Sequence, residues 1–220
     1  MKNTIFIHHH LGLGDHIICA GLVKHIATNN SVALFCKKKN AYNVSQIFIN
    51  NTNISIIPID EDINVTKYSK HNFILSLGIA LNNNFNHSRM HCCWDRIFYE
   101  QANIDFDLSW SEFTIDKPSK QNNIPSCPYG FICNTGSDGI DGIDYSVVDD
   151  KLKKMYSNTG KFFQNIDAIN QASEIHCINS AYIHLIDRIY TKPSAKLYYH
   201  KNFIKKPYSE FTLKKNWNIV

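Results

Sequence analysis

Apolar residues fall along the chain in short runs, separated by stretches with helical spacing. Thr4 to His8 is a run of β-formers and predicts a strand. It leads into Leu11-Gly-Leu-Gly-Asp15 and then into Ile17, Ile18, Gly21, Leu22, His25 and Ile26, whose spacing predicts a helix. Ser31 to Cys36 predicts the next strand and Ala41 to Ile49 a helix. Ile54 to Ile59 and Phe73 to Leu77 predict two more buried strands, the second running into Gly78, and Cys92 to Ala102 a helix.

From Asp116 to Pro128, Lys, Pro, Ser, Gln and Asn replace apolar residues, and Pro118, Pro125 and Pro128 deny regular structure, so this stretch reads as a linker. The rhythm then restarts. Tyr129 to Cys133 predicts a strand opening into Asn134 to Gly139, and Asn165 to Ala172 a helix. The strand Ile175 to Ile178 runs into Asn179 and Ser180 and then a helix through Tyr182, Ile183, Leu185, Ile186 and Ile189, after which Lys196 to Tyr199 predicts a last strand. Lys151 to Phe163 is too polar to predict one. Strands alternating with helices in both halves argue parallel sheets covered by helices, an α/β protein. The expected division is residues 1–117, a linker at 118–128, and residues 129–220.

Composition narrows the function. With 220 residues, 44% of them hydrophobic, the chain can bury a core and is not a disordered protein. No run approaches the roughly 18 apolar residues of a membrane span, so a cytoplasmic location is expected, with peripheral membrane contact left open. The seven cysteines form no Cys-x-x-Cys pair, which suggests neither a disulfide framework nor a zinc site. The 23 basic residues against 19 acidic ones lie in short clusters rather than a stripe, so nucleic acid is not the expected partner. An anionic small molecule stays open.

Two segments carry candidate chemistry. A strand running into Gly12-Leu-Gly14-Asp15 and then a helix aims backbone N–H groups and the positive helix end at one place, which suits an anion. The missing third glycine argues against a dinucleotide fingerprint, and the absence of Gly-Lys-Ser/Thr excludes a nucleoside-triphosphate P-loop. Asp15 reads either as a helix cap or as a carboxylate that accepts a proton from a bound hydroxyl. His16 reads either as a donor to a sugar or phosphate or as a satisfied surface histidine. His8, His9 and His10 read as exposed polar lining of the crevice, since a metal would need further ligands. In the second segment, Asn179, Ser180 and, one turn on, His184 read as a phosphate grip or as an ordinary cap with a packing histidine. Thr135 and Ser137, in the Asn134 to Gly139 turn, are further candidates for a hydroxyl or phosphate. Cys177 reads as core. Arg89, Arg96 and Lys24 are the nearest cations and read as solvated side chains.

At these two segments the sequence resembles the bacterial GT-B-fold glycosyltransferases, in particular the ADP-heptose:lipopolysaccharide heptosyltransferase-like group. Ile7 to Ile26 is similar to that group's opening strand, Gly-x-Gly-Asp turn and helix. Ser173 to Ile189 is similar to its late block, although Asn179 stands where members often carry an acidic residue. The resemblance implies two small Rossmann-like domains facing across a cleft and a nucleotide-sugar donor held mainly by the C-terminal domain. It implies a glycan or lipid-linked acceptor and transfer without a metal or cofactor. It places the general base on Asp15 and phosphate contacts on Ser180 and His184. The rival reading is a non-catalytic nucleotide-sugar or glycan-binding module. An oxidoreductase is disfavoured, because Ser31 to Lys39 ends in Cys36 and lysines, with no acidic residue to hold a ribose.

Overall fold

The computed structural model describes residues 3–70, 72–78, 93–115, 124–134, 136, 142–157, 159–201 and 210–220. The chain divides into two compact units, Met1–Asp116 with Lys206–Thr212, and Lys117–Lys205 with Leu213–Val220.

In the first unit the elements run β1 (Thr4–His8), α1 (Leu13–Ile18), α2 (Ala20–Asn29), β2 (Ser31–Lys37), α3 (Ala41–Ile47), β3 (Ile54–Ile59), α4 (Thr66–Ser69), β4 (Ile74–Ser76), α5 (Trp94–Ala102) and α6 (Leu108–Ser111). The strands form a parallel sheet in the order β3-β2-β1-β4. β2, flanked on both sides, is buried from Val32 to Cys36, whereas edge strand β3 is fully buried only at Ile59 and accommodates Pro58, which has no N–H to give a ladder. The core gathers Ile7, Leu34 and Phe35 from the strands with Ile17, Ile18, Leu22 and Val23 from the helices.

The second unit runs β5 (Tyr129–Cys133), β6 (Lys153–Tyr156), α7 (Ile166–Gln171), β7 (Glu174–Ile178), α8 (Ala181–Arg188), β8 (Lys196–His200) and β9 (Trp217–Ile219). Its sheet is also parallel, in the order β6-β5-β7-β8-β9. Every residue of β5 and β7 is buried.

The α/β class with two parallel sheets is as the patterning predicts. Two strands are additional. β6 lies inside the stretch whose polarity gave no strand signal, because it is an edge strand with only Met155 partly covered. β9 is a three-residue edge strand, too short to show a period.

The last residues fasten each unit by a buried carboxylate. In the first unit Asp95, on α5, accepts the Thr212 N–H at 2.8 Å. In the second, Asp187, on α8, accepts the Lys214 N–H at 3.0 Å, the Lys215 N–H at 3.0 Å and the Trp217 indole N–H at 3.0 Å. The tail is thereby fastened to α8, whose residues 182–187 are all buried.

Candidate active site

In each sheet the strand order reverses beside the first strand of the unit, between β1 and β4 and between β5 and β7. Open α/β sheets bind ligands at the carboxyl ends of the strands at such a switch point. Gly12, Gly14, Asp15 and His16 follow β1, and Asn179, Ser180 and His184 follow β7, so the predicted residues stand at these two places. The two groups belong to different units. Thr135, Ser137 and Arg89 lie outside the described residues.

Gly12 is the N-cap of α1, extended at φ −71° and ψ 151°, with no side chain capping the helix. A Cβ there would meet Asp15 Oδ2 at 2.5 Å, so the Asp15 carboxyl is folded back over the turn into the space a side chain would fill. Burial pushes the Asp15 carboxyl up to about 7, against the opposing pull of the Asp15 and Gly12 backbone N–H groups and of Lys37. By exposed area the residue as a whole is half-buried. A carboxyl raised to about 7 suits proton abstraction at physiological pH.

The histidines around this turn differ sharply in placement. His16 is wholly buried, its ring set edge-on to His9 with centroids 4.4 Å apart, and neither ring nitrogen has a partner among the described residues. His9 is wholly buried too, and its Nδ1 donates to the carbonyl of His10 at 2.6 Å; His8 and His9 are thus interior side chains and not the exposed lining the sequence suggests, because the end of β1 is covered by Phe35 and Phe98. Burial holds His9 down to about 4 and His16 well below its ordinary range, so both rings are neutral. His16 thus faces the interior behind Asp15. His8 packs edge-on against Phe35, and His10 against Phe98. His10 also closes on Gly78, where φ is +117° and a Cβ would strike the imidazole, so that turn needs glycine twice over.

At the second switch point Asn179 is exposed and Ser180 half-buried. Ser180 is the N-cap of α8 in extended geometry, yet its hydroxyl does not cap the helix and lies 3.8 Å from Cys177 Sγ. That hydroxyl shares a hydrogen bond with the Cys177 thiol and stands at the N-terminal end of α8. His184, one turn along, is buried, and burial, with Arg188 nearby, holds it well below its ordinary range. Of the other cations, Lys24 fastens Thr114 through its hydroxyl at 2.7 Å and Arg96 lies 4.9 Å over the Phe106 ring.

Sequence reasoning missed one polar network in the second unit. Glu174 and His176 on β7 share a sheet face with Lys196, Tyr198 and His200 on β8. Lys196 Nζ donates to Glu174 Oε1 at 3.0 Å, His176 Nε2 lies 3.5 Å from Glu174 Oε2, and His176 Nδ1 lies 3.0 Å from His200 Nε2. The Tyr198 ring stacks on His176 at 4.6 Å. The signal available was polar residues at every second position of two strands otherwise apolar. Among the described residues no three His, Cys, Asp or Glu side chains gather so as to hold a metal ion, and no helix is long and apolar enough to cross a membrane.

No protein family matches the chain by sequence, and no curated protein does either. Solved structures do match by fold. TibC, a bacterial iron-containing dodecameric glycosyltransferase from enterotoxigenic E. coli H10407, superposes with a TM-score of 0.62 at 12% identity over 97% of this chain and 62% of its own. A glycosyl transferase family 9 protein from Veillonella parvula DSM 2008 superposes with a TM-score of 0.56 at 12% identity, over 100% of this chain and 86% of that one. The fold is GT-B-like. A further structure of TibC, as a heptosyltransferase in complex with ADP-D-beta-D-heptose, matches the GT-B-like chain with a TM-score of 0.50 at 10% identity, over 90% of this chain and 64% of that one. The GT-B-like chain thus spans less than two thirds of the length of TibC.

Proposed function

We propose that the protein is a glycosyltransferase that moves a sugar from a nucleotide-sugar donor to a hydroxyl of a glycan or lipid-linked acceptor. The observation that carries this reading is Asp15, whose carboxyl is folded over Gly12 and raised to about 7 at the switch point of the first sheet of a GT-B-like fold. Asp15 takes the proton of the acceptor hydroxyl as that oxygen attacks the anomeric carbon, and the nucleoside diphosphate leaves. The leaving phosphates are received at the start of α8, where the Ser180 hydroxyl, the exposed Asn179 and the positive helix end supply hydrogen bonds and partial charge. His184, neutral through burial, adds a hydrogen bond there rather than a charge. A single base suffices for direct displacement, and in this reading transfer needs neither metal nor cofactor. Binding of ADP-D-beta-D-heptose by TibC makes ADP-linked sugars the first donors to try.

Melting temperatures recorded against a panel of nucleotide sugars and free nucleotides, followed by product detection with any donor that raises them, test the proposal. A donor that raises the melting temperature and yields product in the presence of a chelator is expected. No thermal shift and no product across the panel would contradict it.

A further inference from the structure

The helix that follows the glycine-rich turn is broken at one residue. α1 ends at Ile18, α2 begins at Ala20, and Cys19 between them has φ −80° and ψ 0°, where a helix holds ψ near about −42°. In a continuous helix the Leu22 N–H donates to the carbonyl of Ile18, four residues back. Here it donates to the Tyr99 hydroxyl at 3.2 Å, and that hydroxyl donates to the Ile18 carbonyl at 2.8 Å. Ser109 Oγ donates to the same carbonyl at 2.9 Å. Ile18, Leu22, Tyr99 and Ser109 are all fully buried. A side chain inserted into the i to i−4 ladder is one of the few causes of a sharp helix kink.

The inserted hydroxyl is firmly held. Tyr99 comes from α5 and its ring sits edge-on to Phe106 at 5.3 Å, while Ser109 comes from α6. α6 in turn lies directly on α2, since a Cβ on Gly21 would collide with the Leu108 carbonyl. Asp15 is one turn upstream of the break, and its carbonyl accepts the Cys19 N–H at 2.8 Å. The angle at Cys19 therefore sets how α1 lies and where the Asp15 carboxyl rests over Gly12.

We propose that Tyr99, seconded by Ser109, is a positioning residue for transfer: its hydroxyl holds the helix open at Cys19 and so aims Asp15 at the switch point. This rests on the reading of Asp15 as the base. The test is Tyr99→Phe, which removes one oxygen, read by carbon-13 NMR titration of the Asp15 carboxyl. With the wedge gone, the Leu22 N–H and Ile18 carbonyl close on each other, α1 turns, and Asp15 leaves its seat. Its proton affinity should fall about tenfold or more, toward that of an ordinary carboxylate. A lower melting temperature with the Asp15 titration unchanged would show a purely structural tyrosine and overturn the proposal. If Tyr99→Phe does not fold, Ser109→Ala, which keeps the tyrosine, decides. A fall of about twofold is then expected, and no change overturns the idea. These readings are separate from the base assignment, since turnover surviving in Asp15→Asn would sink the assignment and leave the titration of the Tyr99 variant still readable.

Discussion

The backbone N–H of Asp144 donates to Nδ1 of His200 at 2.9 Å. A backbone N–H only donates, so neutral His200 carries its proton on Nε2. That proton faces Nδ1 of His176, which leaves the His176 proton on Nε2, directed at Glu174. One hydrogen bond from the segment after β5 thus sets the tautomers of two buried imidazoles in series.

Nitrogen-15 spectra should show both rings with Nδ1 unprotonated and Nε2 protonated; an Nδ1–H signal from either would contradict the order. His200→Ala leaves the Asp144 N–H and His176 Nδ1 without this partner and should cost about 2–3 kcal/mol, measured by urea unfolding.

Acid should destabilise the protein. Burial lowers His8, His9, His10, His16, His176 and His184 in the folded state below the 6.5 of an exposed imidazole, so the unfolded chain binds more protons below that pH. Stability therefore falls as pH drops beneath 6.5, on the order of 1 kcal/mol per pH unit for each ring kept neutral. Asp15, raised, offsets the contribution of one such ring over the same range. A melting temperature unchanged between pH 6.5 and 5 would contradict this balance.

Much of the fold is visible in the residues alone because its central strands are continuous apolar runs. Val32 to Cys36 and Tyr129 to Cys133 are buried throughout, short runs rich in β-formers and aromatics of the length a strand takes. β6 escaped notice because an edge strand exposes most of its side chains, and Lys153 and Lys154 carry no period. Asp15 is legible from its place after Gly12 and Gly14. The burial of His16 is not, since an adjacent histidine on a helix reads as surface until its face is known, and here that face meets His9. The His176 and His200 pair is hidden for another reason: its members lie 24 positions apart and meet only through the parallel register of β7 and β8.

Asp187→Ala should loosen the tail from the second unit. Three donors, the N–H groups of Lys214, Lys215 and Trp217 Nε1, converge on that carboxylate. Their loss should cost about 2–4 kcal/mol in urea unfolding, and Asp187→Asn, which keeps one acceptor oxygen, should cost less. Equal losses in the two variants would contradict the account of the clasp.

Asp15→Asn should raise stability at alkaline pH. A carboxyl whose folded value stands near 7 against 3.8 unfolded keeps its proton in the folded state, so stability falls as pH rises between those values. Removing the charge should recover about 1–2 kcal/mol at pH 8, discounted for solvent screening because the residue as a whole is half-buried. The gain should shrink on lowering the pH toward 5. An equal gain at pH 8 and pH 5 would show that the carboxyl is not raised.

The same variant gives the most direct measurement of the central claim, turnover and donor binding recorded side by side on Asp15→Asn. The account predicts that sugar transfer falls by about 100- to 10,000-fold while the donor's thermal shift is unchanged. Transfer at the wild-type rate in Asp15→Asn would contradict it.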